Sequence, residues 1–169
     1  MSTDLAIFGG EPIRREPFPA WPRITEEMKK SLIHTFEEEE WGVGSKTITL
    51  FNEQFATMQD AKYCLSIHSG TSAIWICLKA AGIEAGDEVI LPSYTFIATA
   101  TAVVLANAVP VFADIDKKTA NLDPTSVEKL ITKKTKAIIP VHTAGAPADM
   151  KAFLDISKKY KIPIIEDAA

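Results

Sequence analysis

Four short stretches hold most of the residues that could do chemistry, and each follows an apolar run. His68-Ser69-Gly70-Thr71-Ser72-Ala73 is a small polar turn that leads into a helix-like segment. Glycine admits close backbone approach, and free amides and hydroxyls at the positive end of a helix dipole suit an anion such as phosphate. Ser-Gly-Thr-Ser serves equally as an ordinary helix cap. Pro92-Ser93-Tyr94-Thr95-Phe96-Ile97-Ala98-Thr99 sets two aromatic rings among hydroxyls. Either ring can stack on a planar heteroaromatic ligand, a contact worth about 1 kcal/mol beyond its buried area, or pack into a core. In Pro140-Val141-His142-Thr143-Ala144-Gly145, His142 ends another run, in a structural role or a direct one. Ile164-Ile165-Glu166-Asp167-Ala168-Ala169 ends an apolar run in two carboxylates. Successive strand residues point to opposite faces, so Glu166 and Asp167 form no acid/base dyad and only one of them serves a given pocket. A carboxylate so placed can hold a protonated ring nitrogen and keep the ring electron-poor. Taken alone, it reads as a helix cap or a satisfied strand-end acid.

The elements that must position these residues come from the hydrophobic pattern. After Asp60, short apolar runs alternate with longer amphipathic ones, the pattern of a sheet flanked by helices. Strands are expected at 63–67, 88–91, 110–113, 137–141 and 162–165, with helices at 71–81, 96–106, 124–131 and 149–161. The strands show little polar alternation, which suits parallel strands covered on both faces, so a three-layer α/β domain is expected. Ligands on such sheets gather at the carboxyl ends of the strands, where all four stretches fall.

Ahead of Asp60 the pattern differs. GGEPIRREPFPAWPRI is rich in proline and has no period, and reads as an extended arm lying on something else, such as another subunit. Thr25 with Glu26 and Glu27 starts a capped helix running through Glu37 to Glu40 and stopping at Trp41-Gly42-Val43-Gly44. Ser45 caps a second, in which Ile48, Phe51, Phe55 and Met58 recur at helical spacing as core positions. The organisation expected is 1–60 as arm and helices and 61–169 as the first part of a ligand-binding domain.

Composition narrows the classes of function. A net charge of -4 gives no basic field to neutralise a phosphate backbone, so nucleic acid is not an expected partner. No apolar run approaches the roughly 20 residues that span a bilayer, and MSTDLAIFGG has neither the basic nor the long apolar part of a signal peptide, so a cytoplasmic location is expected. Cys64 and Cys77 have no metal-type spacing, and two buried free thiols are expected, with no metal site.

In this order, the stretches GGEPIRREPFPAWP, FNEQFATMQDAKYCLSIHSGTSAI, GDEVILPSYTFIATATAVVLANAVPVFADID, NLDP, TKAIIPVHTAGAPADM and IPIIEDAA resemble the DegT/DnrJ/EryC1/StrS aminotransferases, from Gly9 to Ala169. The GGEP arm and VHTAGAPADM are similar to the branch with inosose aminotransferases and 3-amino-5-hydroxybenzoate synthases. The resemblance implies the three-layer large domain of a fold-type I pyridoxal-phosphate (PLP) transferase, with a mostly parallel seven-stranded sheet. It also implies amino-group transfer from an amino acid, glutamate or glutamine, to a keto-sugar or keto-cyclitol; the proline-rich arm and the Trp41 to Gly44 turn, which could reach a neighbouring site, point to a homodimer. By the same resemblance Gly70 and Thr71 hold the cofactor phosphate, Phe96 stacks on the pyridine ring and Asp167 pairs with its nitrogen. The family's Schiff-base lysine and carboxyl-terminal domain are expected beyond Ala169. The chain is thus read as a truncated amino-terminal half, without a catalytic residue of its own and inactive alone. The alternatives are a sugar dehydratase of the same family, with histidine for lysine, and a non-enzymatic fragment with a vestigial site.

Overall fold

The computed structural model describes residues 5–39 and 41–169, so Glu40, the expected end of the first helix, lies outside the described residues. The chain divides into two compact units, Met1–Leu65 and Ser66–Ala169.

In the first unit a 3-10 turn, Ala6–Phe8, precedes two helices, α1 (Glu26–Glu37) and α2 (Lys46–Met58). Both begin where the capping chemistry places them. Thr25 Oγ1 accepts from the Met28 amide and Ser45 Oγ from the Ile48 amide, each at 3.2 Å. Its own backbone amide and the Thr25 hydroxyl hold the Glu27 carboxyl below its ordinary value. The expected core stripe of α2 is not a core: Ile48, Phe51, Phe55 and Met58 are exposed, and Ala56 is the buried hydrophobic residue of this helix. Helical spacing shows that these side chains share a face, and no described element covers that face. Phe51 and Phe55 stack on each other instead, with centroids 5.7 Å apart.

The second unit is built on a parallel sheet of β1 (Glu88–Pro92), β2 (Val109–Ala113) and β3 (Thr135–Ile138), in the order β2-β1-β3. The β1–β2 register runs from Glu88↔Val109 to Pro92↔Ala113. Four helices connect and flank it: α3 (Gly70–Ala80), α4 (Ile97–Leu105), α5 (Pro124–Leu130) and α6 (Met150–Tyr160). Strand alternation sorts the core into two layers. Val89, Leu91, Ala137 and Ile139 pack with Ile74 and Leu78 of α3 and Ala102 and Val103 of α4. Ile90 and Ile138 face the other way, onto Val127 of α5 and Phe153 and Ile156 of α6. Helices on both faces of a parallel sheet make the three-layer α/β architecture that the alternating pattern predicts.

Two expected strands differ. Residues 63–67 form no strand among the described residues, and Tyr63, Leu65 and Ile67 are exposed. A strand exists through its ladder, and this apolar run has no ladder partner. Residues 162–165 make bridges only: Ile164 pairs parallel with Ile138, and Asp167 with Val141. Pro163 and Pro140 lack amide donors, which breaks the ladder into these isolated contacts. The thiols are free, but Cys64 is half-buried and Cys77 exposed rather than both buried, because Cys77 lies on the outer face of α3.

Candidate functional site

A cleft of about 660 Å³ opens in the second unit, beyond the carboxyl ends of β1 and β3 and of the extended segment that ends at Asp167. It is bordered by the start of α3 (Gly70, Thr71), the turn after β1 (Tyr94, Thr95, Phe96), the turn after β3 (His142, Thr143, Ala144) and Glu166 to Ala169. All four chemistry-bearing stretches thus meet at one place, the crevice where ligands bind on doubly covered sheets.

At the start of α3, Ser69 Oγ accepts from the Ser72 amide at 3.2 Å and caps the helix. The cap and the anion site are not alternatives. Among the described residues the Gly70 and Thr71 amides have no acceptor, so two donors face the cleft at the positive helix end. A Cβ added at Gly70 would meet nothing within 4 Å, so the space over this turn is open.

On the floor, Asp167 is 7% exposed. Thr99 Oγ1 donates to its Oδ2 at 2.7 Å, and the Ala169 amide reaches Oδ1 at 3.2 Å. Thr99, from the first turn of α4, is fully buried, and its oxygen lies 2.8 Å from Thr95 Oγ1. No cationic side chain pairs with Asp167 among the described residues. A nearly buried carboxylate held only by a hydroxyl and an amide has room for a positively charged partner from the cleft.

At the rim, Glu166 also borders the cleft, so both neighbouring carboxylates serve one pocket, against the strand-alternation expectation. The reason is the irregular backbone here, a pair of bridges rather than a continuous strand. They still form no dyad. Glu166 is 52% exposed on its side chain and meets His142 Nε2 at 3.0 Å. The Ala148 amide donates to His142 Nδ1 at 3.1 Å, which leaves the neutral ring's proton on Nε2, donated to Glu166. Phe96 caps α4 and is 78% exposed against the cleft, so its ring does not pack in the core. Among the described residues no three His, Cys, Asp or Glu side chains are placed to hold a metal ion, and no helix is long and apolar enough to cross a membrane.

The sequence pattern of the DegT/DnrJ/EryC1/StrS aminotransferase family matches residues 22–169. The chain belongs to this family. Its relatives include the L-glutamine:2-deoxy-scyllo-inosose aminotransferase of Streptomyces kanamyceticus, 39% identical over 174 residues, spanning 99% of this chain and 41% of that one. Among solved structures, 3-amino-5-hydroxybenzoic acid (AHBA) synthase superposes with a TM-score of 0.87 at 38% identity, over 90% of this chain and 40% of that one. NtdA of Bacillus subtilis, solved with its cofactor PMP bound, superposes with a TM-score of 0.81 at 36% identity, over 94% of this chain and 37% of that one. The chain therefore spans about 41% of the length of the curated relatives it matches. Its fold is that of PLP-dependent aminotransferases, matched over 40% and 37% of those two chains. The family and its cofactor-bound members indicate pyridoxal phosphate as cofactor.

The donor set fits that group. Two free amides at a helix start suit a phosphate, an exposed aromatic face suits a planar ring, and a buried carboxylate without a cation suits a protonated ring nitrogen. Sequence reasoning gave no role to two residues that hold this arrangement. Thr99, read only among the hydroxyls of the second stretch, is one of two threonines in the otherwise apolar ATATAVV run. Asn121, 4% exposed, donates through Nδ2 to the Ala146 and Pro147 carbonyls and accepts from the Thr143 amide, fixing the cleft wall.

Proposed function

We propose that the protein is a PLP-dependent aminotransferase that moves an amino group from glutamine or glutamate to a keto-sugar or keto-cyclitol. One observation carries this reading beyond family membership. A buried carboxylate that has no cationic partner among the described residues shares a cleft with the free Gly70 and Thr71 amides of a helix start. The relative named for L-glutamine and 2-deoxy-scyllo-inosose supports the donor and the cyclitol class.

In this reading Gly70 and Thr71 hold the phosphate through their amides, and Ser69 keeps the helix start capped so that those two donors stay aimed outward. Phe96 lies against the ring face and excludes water from it. Asp167 holds a proton at the ring nitrogen through a charge-assisted hydrogen bond. When bound, the cofactor supplies an electron sink and carries the amino group between the two substrates. Glu166, steadied by His142, stands at the mouth of the cleft, where substrate hydroxyls or a donor ammonium would pass. No lysine lines the cleft among the described residues, so the same reading assigns the Schiff-base lysine to chain beyond residues 1–169 and takes these residues alone as inactive. Residues 61–169 then form the first part of the cofactor-binding domain, behind an arm and two helices.

A cytoplasmic homodimer completes the reading. Phe18, Trp21, Ile24, Leu32 and Phe36 leave an apolar surface on the first unit that a second copy would cover. The deciding experiment loads the whole protein with PLP and adds glutamine, then 2-deoxy-scyllo-inosose. Glutamine should convert the bound cofactor's absorbance to that of its amine form, and the keto-cyclitol should reverse it with an amine product seen by mass spectrometry. Loss of a substrate hydroxyl without amination, or no response to any amino donor, overturns the reading.

A further inference from the structure

Asp167 and Glu166 are adjacent carboxylates at the same cleft, yet only one of them is reached by a buried hydroxyl. Thr99 Oγ1 is 2.7 Å from Asp167 Oδ2, and Thr95 Oγ1 is 2.8 Å from Thr99 Oγ1. The direction of this chain is fixed by chemistry. An ionised carboxylate can only accept, so Thr99 spends its one proton on Asp167 and must itself accept from Thr95. Such a run of donors polarises each member in turn and is electrostatically stronger in an enclosed site than in water. Thr99 is fully buried and Asp167 nearly so, so water does not substitute for the hydroxyl.

We infer that Thr99, backed by Thr95, is a positioning residue for Asp167 that holds its carboxylate oriented toward the cofactor's ring nitrogen. This rests on the reading of Asp167 given above. A proton shared between a ring nitrogen and a carboxylate in an enclosed site resides on the nitrogen only if the carboxylate is the more stabilised partner. The Thr99 hydroxyl supplies that stabilisation at Oδ2, opposite the Ala169 amide at Oδ1, and together the two donors fix the carboxylate plane. The same helix start thus serves the site twice: Phe96 at its cap borders the cleft, and Thr99 one turn later reaches the floor. Neither Thr99 nor Thr95 needs to touch substrate to act in this way.

The test uses the whole protein loaded with PLP labelled with ¹⁵N at the ring nitrogen, whose NMR shift separates the protonated from the neutral ring. Thr99→Val keeps the shape and removes the hydroxyl, and Thr99→Ser keeps the hydroxyl. The Val variant should move the signal toward the neutral ring and slow single-turnover proton removal by about 10- to 100-fold, the size expected for one hydrogen bond to a charged group. The Ser variant should restore both. An unchanged signal in the Val variant, or a Ser variant displaced as far as Val, overturns the inference. If Thr99→Val does not fold, Thr95→Val carries the test, with a smaller displacement in the same direction supporting it and none overturning it. Asp167→Asn separates the two levels. If it too leaves the ring signal unchanged, the reading of Asp167 has failed; if it moves the signal and Thr99→Val does not, only the inference about Thr99 has failed.

Discussion

The floor and the rim of the cleft use the same functional groups under opposite conditions. On the floor, Asp167 is buried and held by a buried hydroxyl; at the rim, Glu166 is exposed, its side chain to 52%, and held by an imidazole. Each carboxylate accepts a hydrogen bond of ordinary length, 2.7 Å and 3.0 Å. What differs is the medium. Water competes for Glu166 and screens its charge, whereas the charge of Asp167 acts on whatever enters the cleft with little screening. Adjacent residues of identical class can therefore differ greatly in functional weight, and burial decides which one matters.

The largest expected effect tests that difference directly. Asp167→Asn keeps the shape of the floor and removes its charge, so single-turnover transamination should fall by about 10²–10³-fold, as when one electrostatic partner of a developing charge is lost. Glu166→Gln keeps an acceptor for the His142 Nε2 proton and should cost far less. Cofactor occupancy, followed by absorbance, should persist in both variants, because Gly70 and Thr71 are untouched. Equal losses in the two variants would erase the distinction between floor and rim.

The sheet, its flanking helices and the clustering of four motifs were legible in the amino-acid sequence, because period, turn residues and caps act locally. Ser69, Asp123 and Asp149 each accept from an amide two or three residues on, as cap chemistry requires. What escaped were contacts across long sequence separations. Thr99 meets Asp167 68 positions away, and no local pattern encodes that pairing. Residues 63–67 failed as a strand for the same reason, since a strand's identity depends on a partner elsewhere, whereas 162–165 have a partner in Ile138 but are reduced to bridges by Pro163 and Pro140. The stripe of α2 failed because helical period tells which side chains share a face, not whether anything covers it.

Asn121, 4% exposed, extends the comparison to a wall of the cleft. Its side chain, nearly buried, satisfies the carbonyls of Ala146 and Pro147 and the amide of Thr143, and so holds a wall in which Ala144 takes a left-handed φ of 53°. Asn121→Ala strands those three groups, and a loss of about 2–3 kcal/mol in unfolding free energy is expected. Denaturant titration should show a lower midpoint at an unchanged slope. A midpoint within error of the parent would mean that water replaces the amide, which would move the whole wall into the class of the rim.

The smallest effect is expected at a solvent-exposed pair between two helices. Lys159 of α6 donates to Glu128 Oε1 of α5 at 2.5 Å, and Tyr160 Oη donates to the same oxygen at 3.0 Å. The Lys159 hydrogen bond, then that of Tyr160, hold the Glu128 carboxyl below its ordinary value, and Glu128 in turn raises Lys159. A depressed acid stabilises the fold above its unfolded value of 4.5 and loses that contribution as pH falls through the folded value. A raised base is fully stabilising below its unfolded value of 10.5 and loses its contribution as pH rises through the folded one. Between these limits the pair contributes a flat term, so pH 7 is the place to measure it. Both groups are solvent-exposed, so salt should screen what little they gain. Glu128→Gln should lower the urea midpoint slightly at low ionic strength and not detectably at 1 M salt. A loss that is large and insensitive to salt would show that the α5–α6 contact behaves like the floor of the cleft, and exposure alone would then no longer rank these polar contacts.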